Sequence, residues 1–458
     1  MARSTFLILA LVVWGAPLEA QTKESDLREL RQQLQELEKR LTEEEQRNDA
    51  LQRDLETVRR QIFELIEGRG DREDTIDGLP QLPRSPEERR ALRRGLPSQG
   101  WLGVLHRTHL GGYFDLEYTD EENEDRSFRQ HRLVPFIFSD ISEQIRFAAE
   151  IEFEDGGNSE DDGETKIEFA TLDYVFSEAF AIRAGALLLP LGKFNLIHDS
   201  PTNDLTARPK VDRSVIPTTL SSSGIGFFGT FYPSEESRLD YEIYFVNNFR
   251  GLVEDSSSPT GFRSDFNTVT GLRGGRPSLS DNTNNSLALD TRVTFSPFIG
   301  SEIGLSSNIG KYDKKGDNAL VIYAVDTVFQ PAYFWPKLGG LEILGEFARA
   351  EISRNTLARA SGVPGDMWGI YAQVNYHFMP GLLPEKLPEV FGDDSTFTGV
   401  VRLGHTDLDG VRSERLTLGL NFRPIESTVF KVSYQFNFDE WDHGDANDAF
   451  LFSIASYF

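Results

Sequence analysis

Along residues 101–458, apolar side chains recur at every second position. In 415–422, RLTLGLNF, Leu416, Leu418, Leu420 and Phe422 share one parity, and Arg415, Thr417, Gly419 and Asn421 the other. In 428–438, TVFKVSYQFNF, Phe430, Val432, Tyr434, Phe436 and Phe438 alternate with Lys431, Ser433, Gln435 and Asn437. WGIYAQVNYHF (368–378), IRFAAEIEF (145–153) and LDYEIYFV (239–246) behave alike. A period of two is that of a β-strand with one face turned away from water. The pattern predicts sixteen strands, at about 108–119, 126–138, 143–154, 166–176, 179–189, 223–232, 238–247, 286–295, 299–309, 319–329, 341–351, 367–378, 396–405, 412–422, 427–438 and 448–458.

Alternation alone would also suit a soluble sandwich. Three features favour a barrel in lipid instead. Aromatics gather near segment ends on the apolar parity, as in Trp368, Tyr376 and Phe378, where interfacial girdles belong. The opposite parity carries charge too dense for a sandwich core, for example Arg146, Glu150, Glu152 and Glu154. Connectors alternate short (SDISE, FSEAF, YPSEES, SPFIG, RPIES) with long (TDEENEDRS, DGGNSEDDGET, 190–222, 248–285), as inner turns alternate with outer loops. The fold expected is an all-β transmembrane barrel of about 16 antiparallel strands, occupying 101–458. Its polar parity offers Arg146, Glu150, Glu152, Arg292, Glu346, Arg402, Arg415 and Lys431 as lumen-lining residues. The inner turns 330–340 and 379–395 are long for this scheme, and Pro135 lacks the N–H that a ladder needs, so fourteen or eighteen strands stay open. The closing segment AFLFSIASYF aims Phe450, Phe452, Ile454 and Phe458 at lipid.

Upstream the period changes. From Leu27 to Leu65 apolar residues mark the a and d positions of successive heptads, interrupted by Glu44 and Asn48. A long α-helical coiled coil is expected over 21–67, preceding the barrel. Residues 68–100 form a Pro-rich linker with a basic cluster at Arg89, Arg90, Arg93 and Arg94, either a solvated face or a contact for anionic lipid or peptidoglycan. Residues 1–20 read as a secretory signal peptide, with Arg3, an apolar run from Phe6 to Trp14, and Ala20 before the cut. Leu18 is larger than the residue usual there, which leaves the cleavage point open.

Composition then narrows the chemistry. The chain has no Cys and a formal net charge of −26. Disulfides, thiol nucleophiles and Cys zinc sites are excluded, and a nucleic-acid partner is not expected. His198, Asp199 and Ser200 are triad types, but three consecutive residues cannot adopt triad geometry. The acidic stretches DGGNSEDDGE and DLDG lack EF-hand spacing, and the 7 His residues show no metal spacing. No catalytic residue, cofactor or metal is expected, and the chain does not read as an enzyme.

AIRAGALLLPLGKFN (181–195), the long stretch after it to Ser223, GGYFDLEY (111–118) and the terminal Phe458 together resemble the phosphate-selective porin family. The resemblance implies an outer-membrane porin, a passive diffusion channel for small hydrophilic solutes. Anion or phosphate selectivity would come from a basic constriction loop carrying Lys193, Arg208, Lys210 and Arg213. The alternative placement of these charges is at an exposed loop tip. Phe458 would be the signal read by the barrel-assembly machinery, although Ser456 departs from the aromatic usual at that step. The family implies a homo-oligomer, a trimer, among outer-membrane lipid, whereas Asn48 by itself suits a dimer. The coiled coil would lie in the periplasm of a bacterial cell. A different function for the same parts is a structural anchor, tethering the outer membrane to the cell wall through the coiled coil.

Overall fold

The computed structural model describes residues 107–122, 124–157, 163–280, 285–392, 394–439 and 447–458. The signal peptide, coiled coil and linker expected over 1–100 lie outside these residues. Eighteen strands are described. The first seven are β1 (Thr108–Glu121), β2 (Ser127–Asp140), β3 (Ile145–Glu154), β4 (Glu164–Ser177), β5 (Phe180–Leu188), β6 (Ser221–Phe231) and β7 (Arg238–Asn247). Two short ones, β8 (Leu252–Glu254) and β9 (Phe262–Ser264), pair only with each other. The rest are β10 (Leu287–Ser296), β11 (Ser301–Lys311), β12 (Ala319–Phe329), β13 (Leu341–Ile352), β14 (Met367–Phe378), β15 (Thr396–Leu408), β16 (Val411–Ile425), β17 (Thr428–Asp439) and β18 (Ala449–Tyr457). Short helices occur at α1 (Val211–Ser214), α2 (Thr356–Ala360) and α3 (Leu382–Lys386).

All strands but β8 and β9 form one closed antiparallel barrel of sixteen. Sequence neighbours pair throughout, β7 meets β10, and β1 meets β18 in a register running from Tyr113↔Tyr457 to Glu121↔Ala449. Gly112 N donates to Phe458 O at 3.1 Å and Phe458 N to Gly112 O at 2.9 Å, so the seam is bonded to its last residue. Every barrel strand therefore has two partners.

The features that left the strand count open have local explanations. The turn 330–340 folds into two 3₁₀ turns, Pro331–Tyr333 and Pro336–Leu338, each opened by a proline whose missing N–H would be unpaired there anyway. Phe298, in the adjacent β10–β11 turn, stacks on Tyr333 with centroids 4.3 Å apart. The turn 379–395 contains α3. Pro135 does lie inside β2, paired with Gly112 of β1, while the pairing with β3 lapses at Val134 and Pro135 and resumes in the same register at Phe136↔Glu150. The ladder skips the residue that cannot donate.

The outward parity is apolar and exposed, including Leu305, Ile370, Val374, Val401, Leu403, Leu418, Leu420 and Val432. Toward one rim, Tyr376, Phe378, Phe397, Phe422 and Phe430 form a continuous row across β14–β17, with successive centroids 5.8, 6.0, 4.8 and 6.4 Å apart. Such a row suits the boundary between hydrocarbon and headgroups. Leu418 is the central residue of β16 and faces outward. Leu418→Arg is expected to lower stability by about 2–4 kcal/mol, read as a reduced urea midpoint for protein folded in lipid vesicles. An unchanged midpoint would place this face away from hydrocarbon.

Candidate functional site

The segment 189–220 leaves β5 and folds into the barrel rather than away from it. Its entry is Pro190-Leu191-Gly192, and Gly192 has φ +69°. A Cβ there would lie 2.3 Å from Glu346 Oε1, so both the turn and the wall require glycine. Gly192 N donates to Ser306 Oγ at 2.9 Å, while Lys193 N and Phe194 N donate to Glu346 Oε2 at 2.8 and 3.1 Å. Asn195 holds the two ends of the loop together. Its Nδ2 donates to Leu189 O and Leu220 O, and its Oδ1 accepts from Leu220 N.

Beyond that clamp the loop touches most of the inner wall. His198 Nε2 is 3.0 Å from Glu168 Oε2 on β4. Ser200 Oγ donates to Asp115 on β1, Lys431 Nζ on β17 to Ser200 O at 2.6 Å, and Arg423 Nη1 on β16 to Pro201 O at 2.7 Å. Asp204 accepts from Asn375 Nδ2 at 2.7 Å, Asn421 Nδ2 at 3.1 Å and Arg423 Nη2 at 3.3 Å. Thr206 Oγ1 and Ser453 Oγ on β18 are 3.1 Å apart. Arg402 on β15 donates to Ala207 O, and Lys210 to Ser413 Oγ.

The other half of the contact is apolar. Val211, Val215 and Ile216 in and after α1 join Leu187, Leu189, Leu191 and Leu220 in a core with inward-facing Ala348, Ala350, Met367, Tyr371 and Leu408. Full burial of a Val, Leu or Ile side chain contributes about 1.5–3 kcal/mol. The outer connector between β7 and β10 packs on as well, through Phe249, Leu252, Phe266 and Leu272. Leu272 N donates to Ser214 O at 2.8 Å, joining the two loops.

The expected constriction residues divide. Lys193 Nζ is paired with Glu302 Oε1 on β11 at 2.7 Å. Arg208 Nη1 donates to Thr218 O, within its own loop. Lys210 reaches the wall, and Arg213 is exposed on α1. Two arginines that periodicity did not single out join them from the second loop. Arg273 Nη1 lies 3.5 Å from Thr218 O, and Arg276 Nη1 lies 3.4 Å from Thr219 O. Arg273 feels Arg276 and Arg213 as like charges and Glu154 and Glu164 as opposite ones. Among the described residues, no carboxylate stands within 4.0 Å of Arg208, Arg213, Arg273 or Arg276. The only sequence signal for the added pair was their place in RGGR within a long connector.

The eight expected lining residues lie on the inward parity, yet most do not meet open solvent. Glu150, Glu152, Arg292, Glu346, Arg402 and Lys431 are buried, Arg415 is half-buried, and Arg146 is exposed beside Asp140. The cause is the infolded loops, which cover the wall and take its side chains as partners. Arg292 is bonded instead to Asp326 on the neighbouring wall, at 2.6 and 2.8 Å. Glu152 receives Arg132 and Lys166. Arg415 Nε donates to Asn437.

Asp204 joins three wall donors, so Asp204→Ala should loosen the loop without opening the barrel. The expected loss is about 1–3 kcal/mol of local stability, measured as faster hydrogen exchange at 199–210 with strand amides unchanged. Equal exchange in both proteins would show that the loop is held elsewhere.

The model of the family described as phosphate-selective porin O and P matches residues 107–328. A protein of Aquifex aeolicus (strain VF5), whose name gives no function, is 28% identical over 345 residues, covering 71% of this chain and 74% of that one. Among solved structures, the anion-selective porin from Comamonas acidovorans is similar at 11% identity and a TM-score of 0.48, covering 77% of this chain and 99% of that one. The outer membrane channel DcaP of Acinetobacter baumannii is similar at 10% identity and a TM-score of 0.46, covering 77% and 97%. The match runs from β1 through nearly all of β12, and its family is the one that AIRAGALLLPLGKFN resembles.

Proposed function

We propose that this outer-membrane porin is a passive channel for small hydrophilic solutes, and that its constriction favours anions. The observation that carries the reading is the group Arg208, Arg213, Arg273 and Arg276, for which no described carboxylate stands in ion-pairing range. Most other inner-wall charges have opposite-sign or backbone partners and so contribute less field to a passing ion. In a narrow space with low-dielectric walls, a few guanidinium groups outside direct ion pairs can set the local potential even when the whole chain carries −26. The acidic excess would then act at long range, where about 8 Å of screening at physiological salt weakens it. Guanidinium groups also offer the planar, forked donors that suit phosphate oxygens, which makes phosphate the anion class of choice. The family resemblance adds a homotrimer, Phe458 as the assembly signal, and the coiled coil 21–67 in the periplasm.

Reversal potentials in planar bilayers across a KCl gradient test the central part. The wild type is expected to prefer chloride, and the triple variant Arg208→Ala, Arg273→Ala, Arg276→Ala to shift toward cations. The same ion preference in both would remove these residues from the constriction. Inorganic phosphate added to the wild type should reduce chloride current more than sulfate at equal charge, and the triple variant should lose that difference.

A further inference from the structure

Three metal-ligating side chains that lie far apart in sequence meet where the infolded loop crosses the first strands. Glu150 comes from β3, Glu168 from β4 and His198 from the loop. One ligand atom from each lies within 4.8 Å of the others, and the residues are 4%, 0% and 2% exposed. His198 Nδ1 is 2.8 Å from Asn195 O, which can only accept, so this nitrogen carries a proton. Nε2 faces Glu168 Oε2 at 3.0 Å with a proton between them, the place a metal would take. The second oxygen of Glu168 accepts from Thr219 Oγ1 at 2.9 Å.

Glu150 is the informative member. Its Oε1 is buried and accepts no hydrogen bond, and no cation among the described residues pairs with it. The neighbouring Arg132 and Lys166 are engaged by Glu152 instead. Two buried carboxyl groups side by side can share a proton or take a cation between them, and a cation would displace that proton.

We propose that a divalent cation of the Zn²⁺ class binds between Glu150, Glu168 and His198 and fastens the lumen loop to the wall. One imidazole nitrogen with two carboxylate oxygens suits a borderline metal better than Ca²⁺ or Mg²⁺, which take oxygen alone. The bond from Nδ1 to Asn195 O orients the ring as outer partners of metal-bound histidines do. Tetrahedral zinc holds its ligands about 3.3 Å apart, near the 3.0 Å already present between His198 Nε2 and Glu168 Oε2. A second group, Asp115, Glu117 and His131, differs in kind. His131 has carboxylates at both nitrogens, Asp115 and Glu117 at Nδ1 and Glu154 at Nε2, whereas His198 has a carbonyl at Nδ1 and so needs to release only its Nε2 proton to bind a metal.

The test uses the full chain folded in detergent, stripped with chelator and titrated with Zn²⁺ alone by calorimetry. Thermal unfolding is followed with and without the metal. The wild type should bind one Zn²⁺ per barrel and unfold at higher temperature with it. Glu150→Gln and His198→Gln should each weaken binding by about tenfold or more and lose the metal-dependent shift. Glu150→Gln keeps an N–H donor that can face Glu168, its folding without metal is checked by the same thermal unfolding, and His131→Gln should bind as the wild type does. Failure of the wild type to bind at millimolar Zn²⁺ overturns the site. So does undiminished affinity in Glu150→Gln and His198→Gln, or binding lost only in His131→Gln.

Discussion

A strand edge inside hydrocarbon has no water to bond, so each N–H and C=O facing lipid must find its partner within the sheet. That constraint fixes the rest of the molecule. It forces β18 back onto β1, with backbone bonds carried to Phe458 itself, and it assigns the two parities opposite solvents. At Pro135, which has no N–H to give, the β2–β3 pairing lapses for two residues and resumes in the same register at Phe136. Once the wall is closed, side chains on the inner parity are the chemistry left to distinguish one barrel from another.

Here that inner chemistry mostly holds a second layer of chain. The irregular backbone of 189–220 brings polar groups into a confined space, and the wall supplies their partners. Cations from β15, β16 and β17 reach the carbonyls of Ala207, Pro201 and Ser200. Carboxylates on β1, β4 and β13 accept from Ser200, Thr219 and the amides of Lys193 and Phe194. Across the lumen the same loop lies on alanines, leucines and a methionine. A loop bonded on one side and buried on the other has few ways to swing out. The guanidinium groups that the wall does not neutralise sit on the two loops themselves, which is why the loops rather than the strands carry the proposed selectivity.

The barrel was legible because period two is a local property. The bounds expected for 238–247, 319–329 and 367–378 agree with β7, β12 and β14 residue for residue. The inside was less legible, since inner-face character depends on what covers it. In LEILGEFARAEI both parities of β13 are largely apolar, and nothing local shows that Ala348 and Ala350 meet α1 inside while Phe347 faces out. Glu346 was placed on the inner parity, but its role as acceptor for two loop amides depends on a contact more than 150 residues distant in sequence. Arg273 and Arg276 carry no such signal, because long connectors have no period to sort their side chains. His198 looked inert beside Asp199 and Ser200, because its informative neighbours, Glu150 and Glu168, come from other strands.

The account rests on the loop 189–220 lying inside the closed wall, and a cross-link tests this most directly. The chain has no cysteine, so a pair introduced as Thr206→Cys and Ser453→Cys reports without background. The two native hydroxyl oxygens are 3.1 Å apart, one on the loop and one on the inner face of β18. Mass spectrometry of the oxidised, folded protein should find an intramolecular disulfide in nearly every molecule. Two free thiols after oxidation of a barrel shown to be folded would put the loop elsewhere, and the constriction with it.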